Sequence, residues 1–230
     1  MFTLISLALR ALAGRNNQEI KRDIEALRKL DPQRRFLINL EASERMMLQR
    51  LTVDGNGDPI PGLLETLREG DENLRPPAAR LLGELAEYVN ASERRKEVIQ
   101  TLINALHDEP VVVQFYGGFI TDLRGALRVN AAEALGRIGD ASATLELSEA
   151  LRNPHPGTRR AAAWALGRIA NADAIPALAE ALNDPVGDNR DTALSSLKSI
   201  GTPDALETIE EWRVRKQSTE KRRDNDHERS

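Results

Sequence analysis

Twelve residues beginning at Arg128 (RVNAAEALGRIG) return 31 positions later at Arg159 (RRAAAWALGRIA) and 31 later again at Arg190 (RDTALSSLKSIG). A further copy begins at Arg75 (RPPAARLLGELA), at a larger offset. A period of this size marks a solenoid, in which no repeat buries its apolar face alone and stacked neighbours complete one another's core. Such an architecture is expected to bind other molecules rather than to transform them.

Within each copy alanine and leucine recur at helical spacing, as in Ala161, Ala162, Ala165, Leu166 and Ile169. A short break follows, with Ser142 or Asp173 placed to cap a second helix. That second helix carries Leu147 and Leu151, then Leu178 and Leu182, and stops at Asn153-Pro154 or Asp184-Pro185, where proline disfavours continuation. Each repeat is therefore a helical hairpin. Gly83, Gly136 and Gly167 share one position, where a missing side chain lets the next helix approach; Lys198 replaces them in the last copy. Thr66, Ala105, Ala150 and Ala181 share another, which becomes Trp212 in the final hairpin, where no later repeat needs the space. The recurring Arg75, Arg128, Arg159 and Arg190 are expected to pair with acids or loop carbonyls of the preceding unit, such as Asp184 before Arg190.

The pattern Ala-Ala-x-Ala-Leu-Gly-x-Ile-Gly-Asp, followed by an Ala-Leu-x-Asp-Pro-like ending, resembles the short HEAT-like repeat named after the phycobilisome lyases. The resemblance is fullest over residues 128 to 213, holds less closely over 59 to 107, and fades before 59. It implies an all-α, right-handed α-solenoid of about five HEAT-like hairpins with N-terminal capping helices. Residues 1–58 then hold the N-terminal helices and a degenerate first repeat, 59–213 the repeat array with an insertion at 108–127, and 214–230 a disordered charged tail. Because repeats of this type occur in scaffolds as well as in chromophore lyases, they specify fold more sharply than activity.

A formal charge of −4 and a pI near 5.6 argue against nucleic acid as a partner, since phosphate binding draws on clustered Lys and Arg. The chain has no cysteine, in keeping with a reducing, cytoplasmic setting. Its first residues lack the basic start of a signal peptide, and Arg10 interrupts an apolar run too short to span a bilayer. Phe2, Ile5, Leu9 and Leu12 instead fall on one face of an amphipathic helix, which caps the solenoid or docks on a partner or membrane surface.

Repeat proteins bind through equivalent positions on successive second helices. Those positions are Glu65, Asn104, Glu149, Glu180 and Glu211, an acidic stripe on the concave side suited to a basic segment of a partner protein. Against this stands a merely solvated face, with Glu65–Arg68 and Glu149–Arg152 at the spacing of surface ion pairs. The insertion holds Phe115, Tyr116 and Phe119, three of the eight aromatics in the chain, around Gly117-Gly118; a small hairpin between Val111–Val113 and Phe119-Ile120 would present them as an interface anchor. Trp164 stands where other copies carry Arg80, Glu133 and Ser195, and is expected to be partly exposed as a second anchor.

Asp54, Asn56, Asp58 and Glu65 occupy the first, third, fifth and twelfth positions of an EF-hand-like loop, but Pro59 replaces the glycine that turns such a loop, so no metal is assigned. No paired His-Glu motif, phosphate loop or serine nucleophile motif is present in the sequence. The reading is a non-catalytic assembly scaffold that holds a partner protein through the concave face and the aromatic insertion, with no cofactor. The resemblance implies an alternative: a phycobilin lyase-like chromophore attachment factor, or a subunit of one, with bilin as the cofactor. Arg124 and Arg128, beside the insertion, are the arginines that would meet its carboxylates.

Overall fold

The computed structural model describes residues 58–227 apart from 71, 73, 110–111, 115–119 and 123. The N-terminal amphipathic helix, Asp54, Asn56 and the aromatic trio Phe115, Tyr116 and Phe119 lie outside the described residues. The described residues form ten α-helices and one two-stranded antiparallel hairpin. The helices are α1 (Ile60–Glu69), α2 (Arg75–Glu84), α3 (Ala86–Ala91), α4 (Arg95–Leu106), α5 (Gly125–Ile138), α6 (Thr144–Ala150), α7 (Pro156–Ile169), α8 (Ile175–Ala181), α9 (Gly187–Ile200) and α10 (Pro203–His227). Between α4 and α5 run β1 (Val112–Gln114) and β2 (Ile120–Asp122), with Val113 opposite Thr121. The architecture is an all-α solenoid of repeated hairpins, and the insertion supplies the small β-hairpin that Gly117-Gly118 suggested.

The chain divides into two compact units, through Ala134 and from Leu135 onward. The division falls within α5, downstream of the insertion that stretches the 31-residue period between the copies at Arg75 and Arg128.

In the first unit α1 packs on α2 and α4, and α3 connects the latter two. Ile60, Leu63, Leu64 and Leu67 form the buried stripe of α1, facing a core that includes Leu82 and Leu102. Each such side chain contributes roughly 1.5–3 kcal/mol by leaving water. Prolines at the first turns of α1 and α2 sit where a helix has no partner for their missing N–H.

In the second unit α6 and α9 both pack on α7, while α8 and α10 pack on each other and on α9. The second helices are capped two residues earlier than Ser142 and Asp173 would place them. Asp140 accepts from the Ser142 N–H and Asn171 from the Asp173 N–H, because a 3-10 turn precedes α6 and α8. At the far end α10 continues helical to His227, where a disordered tail was expected from 214. Helical pairs along its exposed side, Arg213–Glu210 and Arg215–Glu211, accompany that extension.

Gly136 faces α7 so closely that an added Cβ would lie 2.7 Å from the Ala165 Cα; Gly83 and Gly167 meet Ala134 and Ser196 in the same way. Three residues past this position α5, α7 and α9 end in the left-handed region, at Gly139 (φ 74°), Ala170 (φ 56°) and Gly201 (φ 66°). Ala170 pays a steric cost there that glycine avoids. Ala170→Gly is therefore expected to raise stability by about 0.5–1 kcal/mol. Chemical denaturation with an unchanged denaturant slope would check this, and a loss of stability would contradict it.

Candidate binding surfaces of the repeat array

The recurring arginines are structural, through a pattern richer than the expected pairing with the preceding unit. Arg190 donates to the Asp184 and Pro185 carbonyls just before its own helix (2.7 and 3.1 Å), and Arg159 does the same with Asn153 and Pro154 (3.0 and 3.1 Å). The Asp184 carboxylate reaches back to the previous copy, accepting from Arg159 Nε at 2.6 Å and Nη2 at 3.0 Å. It also accepts from the Val186 N–H and Asn189 Nδ2 (2.8 and 3.2 Å). The Arg159 guanidinium, aided by those neutral donors, holds the Asp184 carboxyl at about 2, well below its ordinary 3.8.

The first unit repeats the motif. Arg75 donates to the Leu67 carbonyl and pairs with Asp108 at 2.6 Å, while Arg128 Nη1 donates to the Asp108 carbonyl at 3.0 Å. Arg124 clasps Glu72, with Nη2 to Oε1 at 2.8 Å, and also donates to the Glu109 carbonyl. Arg128 is only 2% exposed, and burial disfavours its charged form against the pull of Asp108 and Glu109. Both arginines nominated for bilin carboxylates are thus committed to the protein: Arg128 lies in the interior and Arg124 is held by Glu72. Neither is placed to meet the carboxylates of a tetrapyrrole.

Asp58 is likewise explained by local structure, because its Oδ1 accepts from the Ile60 N–H at 3.0 Å in the turn that leads into α1. Glu65 points to solvent from α1, as part of a helix surface rather than a closed loop.

The five stripe positions are all exposed. In the first unit they are Glu65 on α1 and Asn104 on α4, the latter accepting from Gln100 at 3.1 Å. In the second they are Glu149, Glu180 and Glu211 on α6, α8 and α10. The expected ion pairs within one helix do not form. Arg68 instead binds Glu97 at 3.0 Å, and Arg152 crosses to Glu180 of the next hairpin at 2.6 Å. Long side chains here reach farther across the repeat spacing than along their own helix, leaving Glu65 and Glu149 without an ion pair among the described residues.

Arg152–Glu180 separates two shallow clefts between α6 and α8. One, of about 400 Å³, is lined by Ser142, Leu145, Ser148 and Ala177; the other, of about 230 Å³, reaches Leu151, Asn183 and Asp184. Leu145, 66% exposed, stands at the rim of the larger. Trp164 lies on the first-helix side, 37% exposed. Arg168 stands 5.7 Å from its ring centroid, a neighbour that sequence reading passed over although the two residues are one helical turn apart.

Stacked hairpins, small residues at the helix crossings and an arginine ladder define a helical-repeat protein. Residues 119–198 and 146–224 match the family model for HEAT repeats. Over that stretch the chain is similar to HEAT-like repeat proteins of the phycobilisome-lyase type. It is 37% identical over 93 residues to the phycocyanobilin lyase subunit alpha of Thermosynechococcus vestitus, a match covering 40% of this chain and 31% of that protein. Among solved structures, the complex of CpcE and CpcF of phycocyanin lyase from a Nostoc species aligns with 30% identity and a TM-score of 0.51, over 64% of this chain and 55% of that one. A designed armadillo repeat protein in complex with the peptide (KR)4 aligns over 90% of this chain and 86% of its own, with a TM-score of 0.52; at 17% identity it shares the fold alone. The chain thus spans about a third of the curated relative and about half of the lyase structure. No helix among the described residues is long and apolar enough to cross a membrane.

Proposed function

We propose that this chain is the protein-binding subunit of a cytoplasmic, phycobilin-lyase-like assembly, whose second-helix face receives a basic segment of a partner protein. The observation that carries this reading is the exposure of Glu149, Glu180 and Glu211 in one register on three successive second helices. Identity of 30–37% to lyase subunits supports the kind of assembly. Glu149 is ready for an incoming cation. Among the described residues Glu180 pairs with the exposed Arg152, a surface pair contributing less than about 1 kcal/mol, so a partner Lys or Arg can exchange for it. Clustered charge of one sign chiefly speeds encounter and selects the partner, while the clefts beside Arg152 receive its side chains. The chain's own contribution is recognition, with the aromatic insertion as a second contact. Pigment, where the assembly carries it, is held by other chains.

A tagged protein co-expressed with phycobiliprotein subunits and a second HEAT-like lyase chain is expected to retain one of them in mild salt. Charge reversal at Glu149, Glu180 and Glu211 to lysine should weaken that retention about tenfold or more, and the Phe115, Tyr116 and Phe119 to alanine variant should weaken it independently. Pigment absorbance should follow the partner. Equal retention by the wild type and both variants would remove the proposal; a bilin spectrum from this chain alone would favour the chromophore-attaching alternative.

A further inference from the structure

The first-helix side of the second unit carries a different surface. Arg160, Trp164 and Arg168 project to solvent from α7 at intervals of four residues, forming one stripe about 12 Å long. The indole is seated on α5, where a Cβ added to Gly136 would come within 3.0 Å of its Cζ3. It is thus fixed by the close helix crossing while 37% of its surface stays open. Arg168 covers part of the ring, 5.7 Å from the centroid. Neither Arg160 nor Arg168 has a carboxylate partner among the described residues, in a chain whose net charge is −4. The same register on α9 reads Asp191, Ser195 and Ser199, so the row is particular to this repeat and the stacking of hairpins does not require it.

We propose that this row docks an acidic segment of a partner protein. Its two carboxylates engage Arg160 and Arg168 in fork-like bidentate pairs, and an apolar side chain between them covers the indole. A fixed aromatic flanked by arginines is the composition of an interface hot spot. The charges around it favour a protein segment over a polyanion. Exposed Asp188 and Asp191 on the adjacent α9 would repel a phosphate backbone or an anionic lipid surface, whereas a segment bearing two spaced carboxylates need not meet them. This face is distinct from the second-helix glutamates, and the proposal goes beyond their role.

In a Trp212→Phe background Trp164 is the single indole and reports on its own surroundings. The probe is a fluorescein-labelled helical peptide with two glutamates about eight residues apart around a central leucine, matching the 12 Å row. Saturable binding is expected, with a shift in tryptophan emission. The affinity should fall about tenfold or more in an Arg160→Glu/Arg168→Glu variant and in Trp164→Ser, which installs the residue α9 carries at this register. Circular dichroism should be unchanged, since all three side chains are exposed. No saturable response would overturn the proposal, as would equal binding of a peptide with glutamine for glutamate. Preferential binding of a single-stranded DNA oligomer or phosphatidylserine vesicles would overturn the assignment to an acidic protein segment. Self-association lost in the charge-reversed variant would move the site to a contact between copies. Loss of peptide binding leaves retention through Glu149, Glu180 and Glu211 unchanged, so the two proposals fail separately.

Discussion

Asp184→Ala is expected to lower the stability of the second unit by about 3 kcal/mol, because it leaves the Arg159 guanidinium without its carboxylate in a largely water-free position. Arg159 and Asp184 side chains are only 14% and 5% exposed, and the Val186 N–H and Asn189 amide lose their acceptor as well. For a unit of this size the melting midpoint should fall by more than about 10 °C. The same carboxylate sets an acid limit. Its folded-state pKa, about 2, lies below the ordinary 3.8, so its stabilisation is fully present above that ordinary value and is lost as pH falls through about 2. The pH-dependent part amounts to about 2 kcal/mol. Asp184→Asn retains acceptors for Val186 but removes the charge, and should flatten the stability profile across this window. Identical acid profiles for the wild type and Asp184→Asn would refute the assignment.

The second large effect is expected at Gly136. Valine there places a branched side chain where one Cβ already meets the Ala165 Cα at 2.7 Å, the Ala165 Cβ at 2.8 Å and the Trp164 ring at 3.0 Å. Two of these three neighbours belong to the Ala165 backbone and its first side-chain atom, so relief requires α5 and α7 to separate. Overpacking of this kind costs about 3 kcal/mol, well above the fraction of a kcal/mol gained from leaving glycine in a helix. Tryptophan emission from Trp164 should also change as the indole is lifted from its seat. Lys198 provides the contrast: it holds the same register on α9 and is exposed, with no first helix packed against it among the described residues. Lys198→Gly should cost up to about 1 kcal/mol through helix propensity alone. A Gly136→Val protein that unfolds like the wild type, with unshifted emission, would show that the crossing can open freely.

The repeat was legible because its physics is local. Alanine and leucine spacing gives the helices, glycine gives the crossings, and the Asn153-Pro154 and Asp184-Pro185 steps give the stops, each within one 31-residue copy. Relations between copies were less visible. Arg152 lies three residues from Glu149, yet it bonds Glu180, 28 positions away, because neighbouring hairpins bring those tips together. Asp184 precedes Arg190 and suggests that pair, but the carboxylate turns to Arg159 and leaves only its carbonyl to Arg190. Arg124 and Arg128 looked available beside the insertion because sequence shows charge without depth; Glu72 and burial supply what was missing. The early caps at Asp140 and Asn171 were hidden by a single 3-10 turn that shifts each helix start. Trp164 could be placed from its register, whereas its arginine neighbours needed attention to the two flanking turns of the same helix.

Asp184 stands in the loop that opens the last hairpin, yet two of its hydrogen bonds hold the helix of the hairpin before it. A stack whose members touch only through apolar side chains can fray one member at a time from its end. Here the last hairpin cannot peel away and leave its predecessor whole, because departure strips the largely enclosed Arg159 guanidinium of its carboxylate. The clasp therefore makes two hairpins melt as one cooperative block, and the α8–α10 edge of the acidic surface persists or disappears together with the helix that carries Trp164.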